Sequence, residues 1–144
     1  MIQPWYDKKF NEHVHDNLCH VRLKFCFTID EMPASPVYLA MEDYAKHRVK
    51  INGKTLQGPS EKGWIDICFD TVEIPSANLR TGENTIEITS EFNSGADLEG
   101  IYLLGRFGVK LPATLIRLPE FLRQGDIGGQ GLPFYSGSIL YRTG

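Results

Sequence analysis

The sequence predicts an all-β domain, a two-layered β-sandwich or jelly roll. Three observations predict it. Residues 21–29, VRLKFCFTI, place Val21, Leu23, Phe25, Phe27 and Ile29 in strict alternation with Arg22, Lys24, Cys26 and Thr28. A period of two marks a strand with one buried face. Eight Phe, six Tyr and two Trp accompany 14 Gly and 8 Pro, a composition suited to short strands joined by defined turns. Turn signals also recur between the apolar runs along the whole chain. At 144 residues the chain has room for one domain, or one domain plus a tail. It divides into an N-terminal cap or linker, 1–20, and a β-sandwich domain, 21–144. Trp5, Tyr6 and Phe10 in the first part point to a short helix or an irregular cap over a sheet edge.

The elements follow in order. Pro33 and Pro36 punctuate the link after the first strand. Residues 37–42, VYLAME, read as the second strand. Val49 and Ile51 lead into Asn52-Gly53, the pair that accepts positive φ at both central positions of a type I′ hairpin. Residues 65–69, IDICF, read as a strand with Ile65, Ile67 and Phe69 on one face and Asp66 and Cys68 on the other. Residues 74–84 read as a turn-rich crossing that ends in Gly82-Glu83-Asn84 and feeds the strand TIEIT, 85–89. In IYLLGRFGV, 101–109, Ile101, Leu103, Phe107 and Val109 share a face. Gly105 and Gly108 mark a bulge or a close backbone approach. Residues 115–118 form a short strand, 125–131 a glycine-rich turn, and FYSGSILY, 134–141, a return to the sheet. The runs add up to about seven or eight short strands, the count of a sandwich.

Charge and motifs remove several function classes. Fifteen basic and 18 acidic residues leave a net charge of −3, so no basic groove points to nucleic acid and no polybasic stretch to a membrane. Three cysteines, Cys19, Cys26 and Cys68, are an odd number without a CxxC pair. That disfavours a disulfide framework or a zinc site and predicts free thiols, with Cys26 and Cys68 behaving as small buried residues. The first ten residues contain no long apolar run, which predicts cytoplasmic residence, or extracellular residence if a leader or parent chain precedes them. Glu12, His13, His15 and Asp16 are the densest group of metal-ligand types, but they read as a solvated surface segment with no third distant ligand. Asp66 and Asp70 are the candidate calcium oxygens, although no calcium loop surrounds them. No GxSxG elbow, HExxH helix or phosphate loop occurs, so no catalytic residue and no metal site is assigned.

Sugar recognition needs aromatic faces for stacking and side chains that hydrogen-bond hydroxyls. The segments that carry both types supply Trp64, Asp66, Glu99, Tyr102, Gln130, Phe134 and Tyr135 as candidate ligand-binding residues. The stretches VYLAMEDYAKHRVKINGKTL and GWIDICFDTVEIPSANLRTGENTIEI, with DLEGIYLLGRFGV and GDIGGQGLPFYSGSILY beyond them, resemble the accessory β-sandwich domains of large bacterial glycoside hydrolases, called galactose-binding-like or sugar-binding. The resemblance spans roughly 21–141. It implies a noncatalytic module that binds glycan weakly or positions a catalytic domain, with the catalytic carboxylates in a separate domain of the parent enzyme. It implies carbohydrate or that catalytic domain as partner. No cofactor is assigned, with calcium at Asp66 and Asp70 the alternative. A structural or protein-interaction sandwich is the alternative, and a small autonomous glycosidase ranks below both.

Overall fold

The computed structural model describes residues 19–63, 66–92, 100–135 and 138–140. Ten strands occur among them: β1 (Cys19–Ile29), β2 (Val37–Glu42), β3 (Arg48–Ile51), β4 (Lys54–Thr55), β5 (Glu61–Lys62), β6 (Phe69–Ile74), β7 (Gly82–Phe92), β8 (Tyr102–Leu104), β9 (Gly108–Lys110) and β10 (Thr114–Ile116). They form a six-stranded sheet in the order β4-β3-β7-β1-β10-β9 and a four-stranded sheet in the order β5-β6-β2-β8. The all-β, two-sheet architecture is the one the alternation predicts. Helical structure among the described residues is limited to two short 3₁₀ turns, Tyr44–Lys46 and Ser76–Asn78. No described helix is long and apolar enough to cross a membrane. Residues 1–18 of the predicted N-terminal cap, with the Glu12–Asp16 cluster, lie outside the described residues, and Cys19 and His20 already belong to β1.

The core forms where the inner faces of the two sheets meet. Phe27, Ile29, Val49, Ile51, Ile86, Ile88 and Leu115 come from the larger sheet, and Val37, Leu39, Met41, Val72 and Ile74 from the smaller. Burying each such side chain contributes about 1.5–3 kcal/mol, which makes register decisive. β2 pairs antiparallel with β6, placing Leu39 opposite Val72 and Val37 opposite Ile74. A slip of one residue would send Thr71 and Glu73 into the core. β1 pairs with β7 along its whole length, but β10 covers its other edge only at Thr28 and Ile29. Phe25, on the core-facing side of β1, is therefore still 39% exposed.

Four sequence expectations change. Of the strand placed at 65–69, Ile65 lies outside the described residues, and the described strand begins at Phe69 and continues to Ile74. Asp66 Oδ1 accepts the Cys68 N–H at 3.0 Å, and Asp66 O accepts the Phe69 N–H at 3.2 Å. This Asx turn reverses the chain where an extended run was expected. All three cysteines are exposed. Cys26 belongs to the polar face of β1, and Cys68 sits in the Asx turn. Residues 101–109 are not one strand: β8 lies in the four-stranded sheet and β9 in the six-stranded one. Between them Gly105 passes so near Pro36 O and the Phe107 ring that a Cβ would lie 3.1 and 2.9 Å from them. Of the strand placed at 134–141, residues 136, 137 and 141 lie outside the described residues, and no strand forms at 132–135 or 138–140. There the backbone instead turns through the Tyr135 N–H bond to Leu132 O at 3.2 Å.

Candidate functional site

The smaller sheet has an outer face. Register places Glu61 opposite Thr71, Thr71 opposite Ala40 and Ala40 opposite Tyr102. Residues directly opposite share a face, so Glu61, Thr71, Ala40 and Tyr102 form one row across β5, β6, β2 and β8. Period two adds Phe69 and Glu73 from β6 and Tyr38 from β2 to that face. The Phe69 and Tyr102 rings meet edge to face with centroids 5.4 Å apart.

A cleft of about 550 Å³ opens on this face, lined by Tyr38, Gln57, Pro59, Glu61, Lys62, Thr71 and Glu73 among others. Its size falls in the usual range for small-ligand sites, roughly 300–1,000 Å³. β6 and β2 supply the floor, and the segment 57–63 supplies a wall. Thr71 is only 6% exposed, and its Oγ1 is buried without a hydrogen-bond partner among the described residues. Such an orphaned hydroxyl is uncommon in a folded protein and calls for an explanation. Gln57, Glu61 and Glu73 likewise make no side-chain hydrogen bond or ion pair among the described residues. Lys62 differs: its Nζ stands 3.8 Å from Asp70 Oδ1. Asp70 is buried, and its Oδ2 accepts the Tyr44 N–H at 3.0 Å.

The residues singled out in the sequence are scattered. Trp64 and Glu99 lie outside the described residues; Trp64 follows Gly63, which lines the cleft. Asp66 is exposed and caps its Asx turn. Hydrogen bonding to Asp66, and the charge of that carboxylate, push the Cys68 thiol up and keep it protonated. Tyr102, 52% exposed, stands on the same outer face as the cleft but at the β8 edge. Gln130 closes its own loop: Oε1 accepts the Arg123 N–H at 2.6 Å, and Nε2 donates to Arg123 O and Asp126 O at 3.0 Å. The glycine-rich run is fastened in the same way, with the Asp126 carboxylate accepting the Gly128 and Gly129 N–H groups. Phe134 is exposed, and the half-exposed Tyr135 donates its hydroxyl to Ser138 O at 3.0 Å. No described member of the sequence-derived set lines the cleft.

Both candidate calcium carboxylates are engaged within the protein, Asp66 by the Cys68 N–H and Asp70 by Tyr44 and Lys62. No group of three or more metal-ligating side chains occurs among the described residues. The cleft residues missed by sequence reading had one usable signal. FDTVEI, 69–74, alternates Phe69, Thr71 and Glu73 with Asp70, Val72 and Ile74, which assigns the first three to an outer face. Comparison with known proteins finds no matching family model, no matching curated protein and no matching solved structure.

Proposed function

We propose that this chain is a noncatalytic, carbohydrate-associated β-sandwich of the galactose-binding-like, jelly-roll kind, and that glycan contacts it in the cleft of the four-stranded sheet. The observation that carries this reading is a cleft lined by Gln57, Glu61 and Glu73, whose side chains make no hydrogen bond or ion pair among the described residues, with Thr71 and its buried, unpartnered hydroxyl among the same lining residues. A polyol supplies many hydroxyl donors and acceptors, the complement of an amide, two carboxylates and a hydroxyl. Tyr38 in the lining adds an aromatic surface beside them, the usual companion of sugar hydrogen bonding. The sequence resemblance to accessory domains of glycoside hydrolases supports the same reading.

Calorimetric titration with a panel of neutral, amino and acidic oligosaccharides, paired with a hydrolysis assay, tests it. Weak binding without turnover, reduced by Gln57→Ala, is the expected result. Turnover that disappears in Glu73→Gln would replace this reading with a small glycosidase. Binding to no sugar would replace it with a structural or protein-interaction sandwich. The exposed Phe121, Phe134 and Leu140 favour that second reading, because apolar side chains left in water are what a partner domain covers.

A further inference from the structure

We propose that the cleft sorts glycans by charge: it takes neutral sugars, prefers those with free amines, and rejects uronate or sulfated ones. The proposal rests on the carbohydrate reading above and adds the ligand class. Glu61 is directly opposite Thr71 on β5, and Glu73 lies two residues beyond Thr71 on β6. The two carboxylates therefore project to the same side as diagonal neighbours, with Cα atoms about 7–8 Å apart. Neither has a cationic partner among the described residues. The one lysine among the described lining residues, Lys62, stands against the buried Asp70 carboxylate, which offsets its charge. Among the described residues, a ligand in the cleft thus meets two uncompensated negative groups and one compensated positive group.

Ionised carboxylates only accept hydrogen bonds. Sugar hydroxyls and ammonium groups can donate to them, whereas a uronate or sulfate cannot and adds like-charge repulsion. Thr71, nine-tenths buried, also lines the cleft, and its hydroxyl has no hydrogen-bond partner among the described residues, an independent observation beside the two carboxylates.

The test is calorimetric titration of the full chain with three hexasaccharides, made of glucosamine, N-acetylglucosamine and galacturonic acid. Glucosamine should bind about three- to tenfold more tightly than its acetylated counterpart, as expected for two solvent-facing ion pairs. Galacturonate should give no measurable heat. The Glu61→Gln/Glu73→Gln variant should bring the first two within about twofold while neutral binding persists. Raising NaCl from roughly 20 to 500 mM should do the same in the native protein.

A second variant, Glu31→Gln/Glu83→Gln, removes the same charge away from the cleft and should keep the preference. Loss of preference there would overturn the proposal by tracing it to the overall charge of −3. Equal binding of galacturonate, or a preference that survives Glu61→Gln/Glu73→Gln, would also overturn it while leaving the carbohydrate reading intact. Binding of none of the three would overturn both.

Discussion

The Asn52 side-chain amide donates to Asn84 Oδ1 at 2.8 Å, joining two turns that are 32 residues apart in sequence. Asn52 holds the first hairpin with φ +50°. Its Nδ2 also donates to Asn78 O, and its Oδ1 accepts the Thr85 N–H. Asn84, fully buried, accepts the Arg80 N–H and donates to Arg80 O and Gly82 O. Asn84→Ala leaves Asn52 Nδ2 and the Arg80 N–H short of an acceptor in a dry setting, so stability should fall by about 2–4 kcal/mol. Urea denaturation with an unchanged m-value measures it. Asn52→Gly keeps the left-handed turn available, and the double variant should show a coupling of about 0.5–3 kcal/mol with Asn84→Ala.

Both ends of that bond were legible separately. Asn52-Gly53 reads as a hairpin, and Gly82-Glu83-Asn84 reads as the entry to a strand. That they meet was not, because side-chain pairing between distant turns leaves no periodic trace. The long β1 alternation is legible since five apolar residues in a run of nine commit to one face. The start of β6 is misplaced because Ile65, Ile67 and Phe69 imitate a strand in the sequence, whereas the Asp66 carboxylate turns the chain just before β6 begins at Phe69. Gln130 reads as a free polar group, yet its amide is bonded to Arg123 and Asp126. The cleft escaped notice because one wall is 57–63, whose mixed polar residues carry no period, and its floor is the part of β6 beyond Phe69.

Gly108 is a second position where the packing is specific. A Cβ there would lie 3.0 Å from Arg117 O, 3.0 Å from Ile116 Cγ1 and 3.1 Å from Gly131 O. Two of these neighbours are backbone carbonyls, and Gly131 O already accepts the Val109 N–H at 2.7 Å. The backbone therefore cannot give way without opening the β9 edge. Gly108→Ala should lower stability by about 1–3 kcal/mol, the typical cost of overpacking. Gly53→Ala is strained for a different reason, a φ of +80° with open space around it. Thermal melts of the two variants, with hydrogen exchange at Val109, distinguish them: only Gly108→Ala should expose that amide.

His47 gives the fold a pH response. Its Nδ1 is buried without a hydrogen-bond partner among the described residues. Burial pushes the imidazole pKa down, Asp43 pulls it back up, and Lys46 pushes it further down. A histidine lowered on folding binds fewer protons in the native state than in the unfolded one. Stability should therefore fall as pH drops through the unfolded value of about 6.5, and level off below the folded value. The Glu87 carboxyl, held low by Arg22, acts in the same direction at lower pH. Its contribution is full above the ordinary carboxylate range and is lost as pH falls from there through its own lower value, so the two windows are separate. Urea midpoints between pH 8 and pH 5 should decline in the native protein and stay flatter in His47→Asn. An equal decline in both would remove His47 as the cause.

Thr71→Val separates stability from function in one substitution. Valine keeps the β-branched shape and the strand preference of threonine, and it replaces a buried hydroxyl that has no partner among the described residues. An unsatisfied buried hydroxyl costs about 1–3 kcal/mol, so removing it should raise stability by about 1 kcal/mol and raise Tm accordingly. If the hydroxyl is kept for a ligand, glucosamine hexasaccharide affinity should fall about three- to tenfold in the same variant, the value of one hydrogen bond. A Tm gain with unchanged affinity would make Thr71 an unfavourable packing residue with no part in the cleft. A Tm gain with lost affinity is the signature of a group whose polarity destabilises the fold but serves a bound polyol.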